Sequence, residues 1–308
     1  MSDSETISAL LSKIDDLGKE IAEIKLALAP MNGIQQRLSK IQHLVTAPRA
    51  VAAGDGLTLA KLAFDDLLMV VHQRDRLIGP HLIMNGIYEK ALTSYFRSII
   101  GDVQTFVDVG ANIGYYTCLF GKHLRDRGSV YAFEPDAANF ELLRHNTQIN
   151  WIDKKNIVLE QCALSDRQGT ATLYRNPIKP GNTSLIEPSA DEMKSQPVEP
   201  YEVPTDTIDA YFSGKPAIDL MKIDVEGHEF PILQGARETI RSNPRLRLVL
   251  EWDPPRWGRI GVRAQQVIDY LAEMELRPSM VASRGELSQL TYAELVSVPY
   301  ANIVCQRG

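Results

Sequence analysis

The sequence predicts a doubly wound α/β fold with a mostly parallel sheet, preceded by an N-terminal helical segment. Three observations carry this prediction. Short apolar runs recur between segments of helical periodicity, which is the pattern of parallel strands that alternate with helices. A glycine turn, Gly110-Ala-Asn-Ile-Gly114, separates one such run from the helix that follows it. Several runs end in a carboxylate, and ligands of parallel sheets bind at the carboxyl ends of the strands.

The N-terminal segment, residues 1–47, carries a heptad pattern. Its apolar residues alternate at spacings of three and four, with isoleucine mostly at position a and leucine at position d: Ile7, Leu10, Ile14, Leu17, Ile21, Ile24, Leu28 and Met31. This choice of residues favours a parallel coiled coil, so we expect a homo-oligomer, a dimer or a trimer. The alternative is an amphipathic helix packed on its own domain. Residues 48–56 hold a proline and two glycines and predict a linker to a globular domain over residues 57–308.

The elements of the globular domain follow from apolar runs and from 3.6-residue periodicity. We predict a small antiparallel element over 59–75, a helix over 81–100, and main strands over 104–109, 129–133, 156–162, 218–224 and 246–251. Helices are predicted over 115–127, 137–150, 228–241 and 265–275, and late strands over 277–283 and 300–306. Two added strands, 169–174 and 197–203, flank a loop that we interpret as a substrate lid, with a disordered insertion as the alternative.

Composition and charge exclude several classes of protein. Hydrophobic residues make up 44% of the 308 residues and charged residues 23%, as in ordinary globular proteins. A net charge of −6 without a dense run of Lys or Arg argues against nucleic acid as a partner. We find neither a transmembrane segment nor a signal peptide pattern. The scattered cysteines are typical of reduced core residues, so we expect a cytoplasmic protein; they are Cys118, Cys162 and Cys305.

Two carboxylates at the ends of neighbouring strands define the first candidate site. Asp108 stands two residues before Gly110, and Glu134, which follows the 129–133 strand, is placed to accept both hydroxyls of a ribose. The glycine turn is one residue shorter than the dinucleotide fingerprint. An acid beside it repels a pyrophosphate but attracts an ammonium or a sulfonium group. The pattern therefore favours S-adenosylmethionine, with a nicotinamide dinucleotide, and hence an NAD-dependent oxidoreductase, as the alternative.

Four ionisable side chains alternate at the end of the 218–224 strand: Lys222, Asp224, Glu226 and His228. Lys222 and Asp224 point to the same face, because side chains repeat every two residues. All four are candidate catalytic residues. For Lys222, a salt bridge to Asp108 or Asp224 is favoured over direct catalysis, because a buried lysine is costly unless it is paired.

Methyl transfer to a hydroxyl group needs a general base or a divalent metal ion. His228 suits the first route, since it titrates near neutrality unperturbed. Asp224, Glu251 and Asp253 suit the second, because carboxylates at the ends of adjacent strands are hard ligands of the kind that Mg²⁺ accepts. A third alternative is that these carboxylates only cap helices and pair with arginines.

Three motifs resemble the FkbM family of S-adenosylmethionine-dependent methyltransferases: Asp108-Val-Gly-Ala-Asn-Ile-Gly114, Phe133-Glu-Pro135 and Lys222-Ile-Asp-Val-Glu-Gly-His-Glu229. Gly86-Ile-Tyr-Glu89 resembles the segment that precedes the family's first strand. The resemblance implies a seven-stranded, Rossmann-like class I methyltransferase sheet with its last strand antiparallel. It also implies O-methylation of a sugar, glycan or secondary-metabolite hydroxyl.

The resemblance further implies a set of cofactor-binding residues. Asp108, Gly110, Asn112 and Gly114 would line the methionine part, Glu134 would take the ribose, and Ala163 with Leu164 would flank the adenine. Ala111, Tyr115, Pro135, Glu89 and Asp224 complete the predicted set, with Glu89 helping to close the site. A third class of function stays open beside these: a non-catalytic scaffold, assembled through the coiled coil, for glycan-building enzymes.

Overall fold

The computed structural model describes residues 50–152, 155–176, 183–195 and 197–308. The predicted coiled coil, residues 1–47, lies outside the described residues. The first described elements form a small antiparallel sheet followed by two helices: β1 Ala50–Gly54, β2 Leu57–Lys61, β3 Leu68–His72, α1 Ile78–Asn85 and α2 Lys90–Ile99. The predicted antiparallel element is thereby confirmed.

Two boundaries in this region correct the sequence prediction. Residues 50–54 of the predicted linker form a strand, because β1 pairs with β2 along its length. The single helix predicted over 81–100 is two helices. Gly86 adopts a left-handed φ of 66° that closes α1, and Glu89 adopts a φ of 40° before α2 begins.

The chain then alternates between strands and helices: β4 Thr105–Val109, α3 Tyr115–Leu124, β5 Ser129–Phe133, α4 Ala137–Ile149, β6 Ile157–Glu160, β7 Ala163–Leu164, β8 Gly169–Arg175, α5 Ala190–Ser195, β9 Glu199–Asp206 and α6 Ile208–Phe212. The remaining elements are β10 Leu220–Ile223, α7 Glu229–Gln234, α8 Arg237–Ser242, β11 Arg247–Trp252, α9 Pro254–Trp257, α10 Ala264–Glu273, β12 Arg277–Val281, β13 Leu287–Gln289, α11 Tyr292–Leu295 and β14 Ala301–Gln306. None of the helices in these ranges is long and apolar enough to span a bilayer.

The central sheet has eight strands in the order β13-β12-β14-β11-β10-β4-β5-β6. The strands from β11 to β6 run parallel, whereas β14 pairs antiparallel with both of its neighbours. The mostly parallel sheet and its antiparallel last strand are confirmed, but the prediction of seven strands is wrong. The eighth strand, β13, is an exposed Leu-Ser-Gln segment that pairs with β12. It carries no apolar alternation that the sequence analysis would detect.

Alternate residues of the central strands enter two different cores. Phe106 of β4 packs in one core with Phe96 and Phe120, while its neighbour Val107 packs in the other with Ile232 and Leu271. Because side chains of a strand alternate between faces, the sheet is covered by helices on both sides. This is the doubly wound arrangement predicted from the sequence.

Two asparagines, one in α4 and one at its C-cap, hold the small sheet against this core. Asn146 accepts a hydrogen bond from the amide N of Val70 at 2.7 Å and donates to its carbonyl at 3.1 Å. Asn150 does the same for Leu68, at 2.9 and 2.6 Å. Each carboxamide therefore replaces a strand neighbour for β3 and satisfies backbone groups that burial would otherwise leave unpaired.

The helix predicted over 228–241 is interrupted, which gives α7 and α8. A Cβ on Gly235 would lie 2.1 Å from the carbonyl oxygen of Ser165, so the chain needs a glycine where it passes this segment. The predicted lid segment contains α5, and Ser184 forms an isolated bridge with Tyr174. Residues 177–182 of that segment lie outside the described residues.

Candidate functional site

A cleft of about 340 Å³ lies at the carboxyl ends of β4, β5, β10 and β11. Every predicted cofactor-binding residue except Gly114 lines this cleft. The predicted catalytic residues Lys222, Glu226 and His228 also line it. Of the other predicted metal ligands, Glu251 lines the cleft and Asp253 does not. Parallel strands end at one edge of a sheet, and this is why motifs 120 residues apart in the chain, such as those at 108 and 228, share one cavity.

The glycine turn brings the backbone close to the end of β10. Gly110 adopts a φ of 79°, and a Cβ built on it would lie 1.9 Å from the carbonyl oxygen of Asp224. The amides of Gly110 and Ala111 both donate to the carbonyl of Phe133 at 3.0 Å. Gly114, with a φ of 87°, is the N-cap of α3. The turn therefore needs glycine both for its conformation and for the close approach of two chain segments.

A buried ion pair occupies the centre of the cleft. Lys222 is 3% exposed, and its Nζ donates to Asp224 Oδ2 at 2.8 Å. It is also the register partner of Asp108 across the β10–β4 pair. Its carboxylate neighbours raise the pKa of Lys222 and outweigh the opposite effect of its burial. Lys222 therefore stays charged and cannot accept a proton, which supports the salt-bridge alternative for this residue.

Asp108 has one engaged and one open carboxylate oxygen. Oδ2 accepts from the Thr117 hydroxyl at 2.6 Å, whereas Oδ1 finds no hydrogen-bond donor among the described residues. Burial raises the pKa of Asp108, and the positive charge of Lys222 opposes that rise. A buried carboxylate oxygen without a donor is costly, so a ligand with an N–H group is well suited to this position.

Glu134 follows β5 and fixes the two turns around it. Its Oε2 accepts from the amide of Asn112 at 2.8 Å, and its Oε1 accepts from the amide of Asp136 at 2.9 Å. Asp136 in turn caps α4 by accepting from Ala138 and Asn139. Burial raises the pKa of Glu134 to about 8. Pro135 lies between the two acids and also lines the cleft.

A short strand forms another part of the cleft lining. Ala163 and Leu164, the two residues of β7, are buried, pair with β9 and line the cleft. The Ser165 hydroxyl, next in the chain, lies 2.9 Å from His228 Nε2. This contact places His228 beside the β7 end of the cleft. Burial lowers the pKa of His228 to about 4, so its ring is neutral at physiological pH.

Glu226 is paired with an arginine at the wall of the cleft. It adopts a left-handed φ of 61°, and its carboxylate forms an ion pair with Arg256. The chain is held in this conformation by Glu229, which accepts from the amides of Val225 and Gly227 and from Trp257 Nε1 at 2.6 Å. Glu226 therefore serves the wall of the cleft, and the geometry offers no free carboxylate there for catalysis.

The predicted metal ligands are not gathered into one coordination site. Asp253 accepts from the amide of Arg256 at 3.2 Å and caps α9. Glu251 accepts from the Tyr300 hydroxyl at 3.0 Å, and Asp224 is paired with Lys222. Within residues 50–308, where they are described, no three His, Cys, Asp or Glu side chains form a group able to hold a metal ion. The described residues therefore give no support to the predicted Asp224, Glu251 and Asp253 magnesium set, because Asp253 caps a helix and Asp224 pairs with Lys222.

Glu89 and Tyr115 reach the cleft from the N-terminal helices and from α3. Glu89 accepts from the Tyr116 hydroxyl at 2.9 Å and from Asn302 Nδ2 at 2.8 Å. Burial and the nearby Asp224 raise its pKa. The Tyr115 hydroxyl lies 3.1 Å from Thr93 Oγ1 and accepts from the Tyr88 amide at 3.2 Å. Glu89 thus connects α2, α3 and β14 across the cleft.

Several lining residues were missed by sequence reasoning: Tyr88, Tyr116, Asn139, Arg256 and Tyr300. Tyr116 stands beside the glycine turn, and Arg256 follows Trp-Asp-Pro-Pro. Both adjoin segments that the sequence predicts to lie at the site, so both could have been predicted to line it. Tyr300 precedes the last strand and is distant in sequence from every motif. Only the antiparallel insertion of β14 beside β11 brings it to the cleft.

The sequence matches a family model and several curated proteins. The family model for the Methyltransferase FkbM domain matches residues 108–278, more than half of the chain. The chain is 29% identical over 206 residues to Methyltransferase sdnD of Sordaria araneosa, which covers 58% of this chain and 77% of that protein. It is 29% identical over 146 residues to Hexuronic acid methyltransferase AglP of Haloferax volcanii, covering 44% of this chain and 51% of that protein.

Methyltransferase 1 of Beauveria bassiana is 30% identical over 149 residues, or 44% of this chain and 59% of the relative. The chain thus spans only about half of the length of two of these relatives. The crystal structure of Methyltransferase FkbM from Methylobacillus flagellatus KT aligns with a TM-score of 0.44 at 16% identity, over 71% of this chain and 48% of that chain. The family match rules out the alternative of an NAD-dependent oxidoreductase, and the chain belongs to the FkbM family of S-adenosylmethionine-dependent methyltransferases.

Proposed function

We propose that this chain transfers a methyl group from S-adenosylmethionine to a hydroxyl group of a sugar, a glycan or a secondary metabolite. The observation that carries the proposal is the open oxygen of Asp108: this residue lines the cleft, and its Oδ1 finds no donor among the described residues. The ammonium group of S-adenosylmethionine is a donor that suits this oxygen.

The cofactor lies, in this proposal, along the carboxyl ends of β4 and β5. Glu134 accepts from the ribose hydroxyls, and Asp108 Oδ1, which has no donor among the described residues, accepts from the ammonium group. Ala163 and Leu164 flank the adenine. The methionine part contacts the turn and its surroundings, namely Gly110, Ala111, Asn112, Gly114 and Tyr115, with Pro135, Glu89 and Asp224 completing the site.

When bound, the cofactor supplies an electrophilic methyl carbon. The acceptor oxygen attacks it, the carbon–sulfur bond breaks with its electron pair left on sulfur, and the hydroxyl proton passes to a base. His228 is the proposed base, because its ring is neutral and its Nδ1 is an acceptor when Nε2 donates to Ser165. Lys222 and Asp224 position the cofactor side of the cleft, and Glu226 fixes Arg256.

The printed name of one relative, a hexuronic acid methyltransferase, supports a sugar as the acceptor. The test is a mass-spectrometric screen of the purified full chain with S-adenosylmethionine against sugars, uronic acids, glycans and polyketide-type alcohols. We expect one class to gain the mass of a methyl group and to form S-adenosylhomocysteine in equal amount. Methylation of amine or thiol acceptors alone would contradict O-methylation.

We further propose that residues 1–47 form a coiled coil that assembles a dimer or a trimer, and that the protein works in the cytoplasm. The heptad supports the first proposal, and the free thiols of Cys118, Cys162 and Cys305 support the second. Light scattering of the full chain and of a Leu10→Glu/Leu17→Glu variant tests assembly. A variant of unchanged mass would contradict the coiled coil, and unchanged activity in a monomeric variant would assign the segment to organisation alone.

A further inference from the structure

A row of polar side chains leads from the mouth of the cleft to its centre. The Tyr300 side chain donates to Glu251 Oε1 at 3.0 Å. The charge of Asp224 acts on Glu251, and Asp224 accepts from Lys222. Tyr300 is 56% exposed and Glu251 only 6% exposed. These side chains therefore lead from solvent to the buried ion pair.

Glu251 can form hydrogen bonds with a hydroxyl group. Burial and the neighbouring Asp224 raise the pKa of Glu251 to about 10, so the side chain keeps a proton at neutral pH. A protonated carboxyl group both donates and accepts, as a hydroxyl group does. Its Oε2 finds no N–H or O–H donor among the described residues, and Arg256 Nη1 lies 4.0 Å away, beyond hydrogen-bond distance.

Tyr300 offers the second contact. It is the most exposed of the described residues that line the cleft, and its hydrogen bond to Glu251 fixes the ring beside the carboxyl group. A half-exposed aromatic ring has an apolar face that suits the C–H face of a pyranose.

Given the proposed methyl transfer, we propose that Glu251 and Tyr300 form the acceptor subsite: a hydroxyl of the sugar other than the methylated one hydrogen-bonds to Glu251 while the sugar ring lies on Tyr300. Neither residue is required for the cofactor contacts described above. The subsite lies on the β11–β14 side of the cleft, across the Lys222–Asp224 pair from the glycine turn.

The test uses methyl β-D-glucuronide as the probe and calorimetry on the full chain saturated with S-adenosylhomocysteine. We expect Glu251→Met and Tyr300→Ala to weaken probe binding about tenfold, because each loses one hydrogen bond or one stacking face. Glu251→Gln keeps a donor and an acceptor and should stay within about threefold of the unmodified chain. Tyr292→Phe, whose hydroxyl contacts Leu276 away from the cleft, is the matched control.

Equal probe affinity of Glu251→Met and the unmodified chain would overturn the subsite, and so would absence of binding to the unmodified chain. If Glu251→Met fails to fold, Tyr300→Ala at the exposed rim decides the question alone. Affinity for S-adenosylhomocysteine should remain within about twofold in all variants, since a general collapse of the cleft would lower it. A failed methylation screen with intact, Tyr300-dependent probe binding would refute the proposed reaction and leave the subsite standing.

Discussion

Lys222 Nζ donates to Asp224 Oδ2 at 2.8 Å inside a sheet where Lys222 is also the register partner of Asp108. One buried cation thus stands between two carboxylates at the ends of neighbouring strands. A buried ion pair is weak evidence for stability by itself, but removal of one partner leaves an uncompensated charge. This relationship organises the site, because both carboxylates belong to the proposed cofactor surface.

Replacing Lys222 with methionine should therefore destabilise the fold. We expect a loss of about 3–5 kcal/mol in the free energy of unfolding, measured by urea denaturation. The control is Lys90→Met, since Lys90 is exposed at the start of α2. A loss below about 1 kcal/mol for Lys222→Met, similar to a surface substitution, would mean that the two carboxylates are neutral without it.

Gly110→Ala should remove cofactor binding and destabilise the chain by more than about 2 kcal/mol. The added Cβ would lie 1.9 Å from the Asp224 carbonyl oxygen at a φ of 79°, so the turn must move. Gly101→Ala is the matched control, because a Cβ there meets nothing within 4 Å. Thermal unfolding and calorimetric titration with S-adenosylmethionine measure both effects. Equal behaviour of the two variants would show that the turn is not held against β10.

Glu134→Ala should weaken binding of S-adenosylmethionine by about 30-fold or more, because two hydrogen bonds to the ribose are lost. Calorimetry measures the affinity, with Glu141→Ala on the exposed face of α4 as the control. Some loss of stability is also expected, since Glu134 accepts from the amides of Asn112 and Asp136. Unchanged affinity in a folded variant would refute the ribose assignment.

Glu134 should also make stability depend on pH. Burial raises its pKa from 4.5 to about 8, so the folded chain binds this proton more tightly than the unfolded chain does. The resulting stabilisation is complete below about pH 4.5 and is lost as pH rises toward 8, with a slope of at most about 1.4 kcal/mol per pH unit. The free energy of unfolding of Glu134→Gln, relative to that of the unmodified chain, should therefore increase as the pH rises from 5 to 8.

Urea denaturation at four pH values in this window measures the difference. Glu141→Gln is the control, because the Arg144 partner lowers the pKa of Glu141 and its carboxylate stays ionised throughout the window. A constant difference between Glu134→Gln and the unmodified chain would show that Glu134 is already ionised at pH 5.

His228→Ala should lower kcat by about 100-fold or more while the affinity for S-adenosylmethionine changes by less than about threefold. With a pKa of about 4, His228 should give no inflection in the rate between pH 6 and pH 8. The exposed His145, replaced with alanine, is the control. A variant that keeps its turnover but binds the cofactor poorly would assign His228 to the adenine end through Ser165.

Local periodicity and short motifs in the sequence were enough to predict the α/β alternation, the glycine turn and the carboxylates at the strand ends. Asp108, Glu134, Lys222 and Asp224 all lie where that reasoning put them. The sequence analysis was wrong about the extent of two helices, which are interrupted at Gly86 and Gly235. A glycine that ends a helix cannot be told from one within a helix until its φ or its neighbours are known.

Contacts between side chains from distant parts of the chain could not be predicted in this way. The capping role of Asp253, the ion pair of Glu226 with Arg256 and the contact of Tyr300 with Glu251 join segments that the sequence separates. Such pairings depend on strand order and on the antiparallel insertion of β14, which are set by packing of the whole sheet. Periodicity along the chain reports which face of an element is buried, and it carries no information about the element that covers that face.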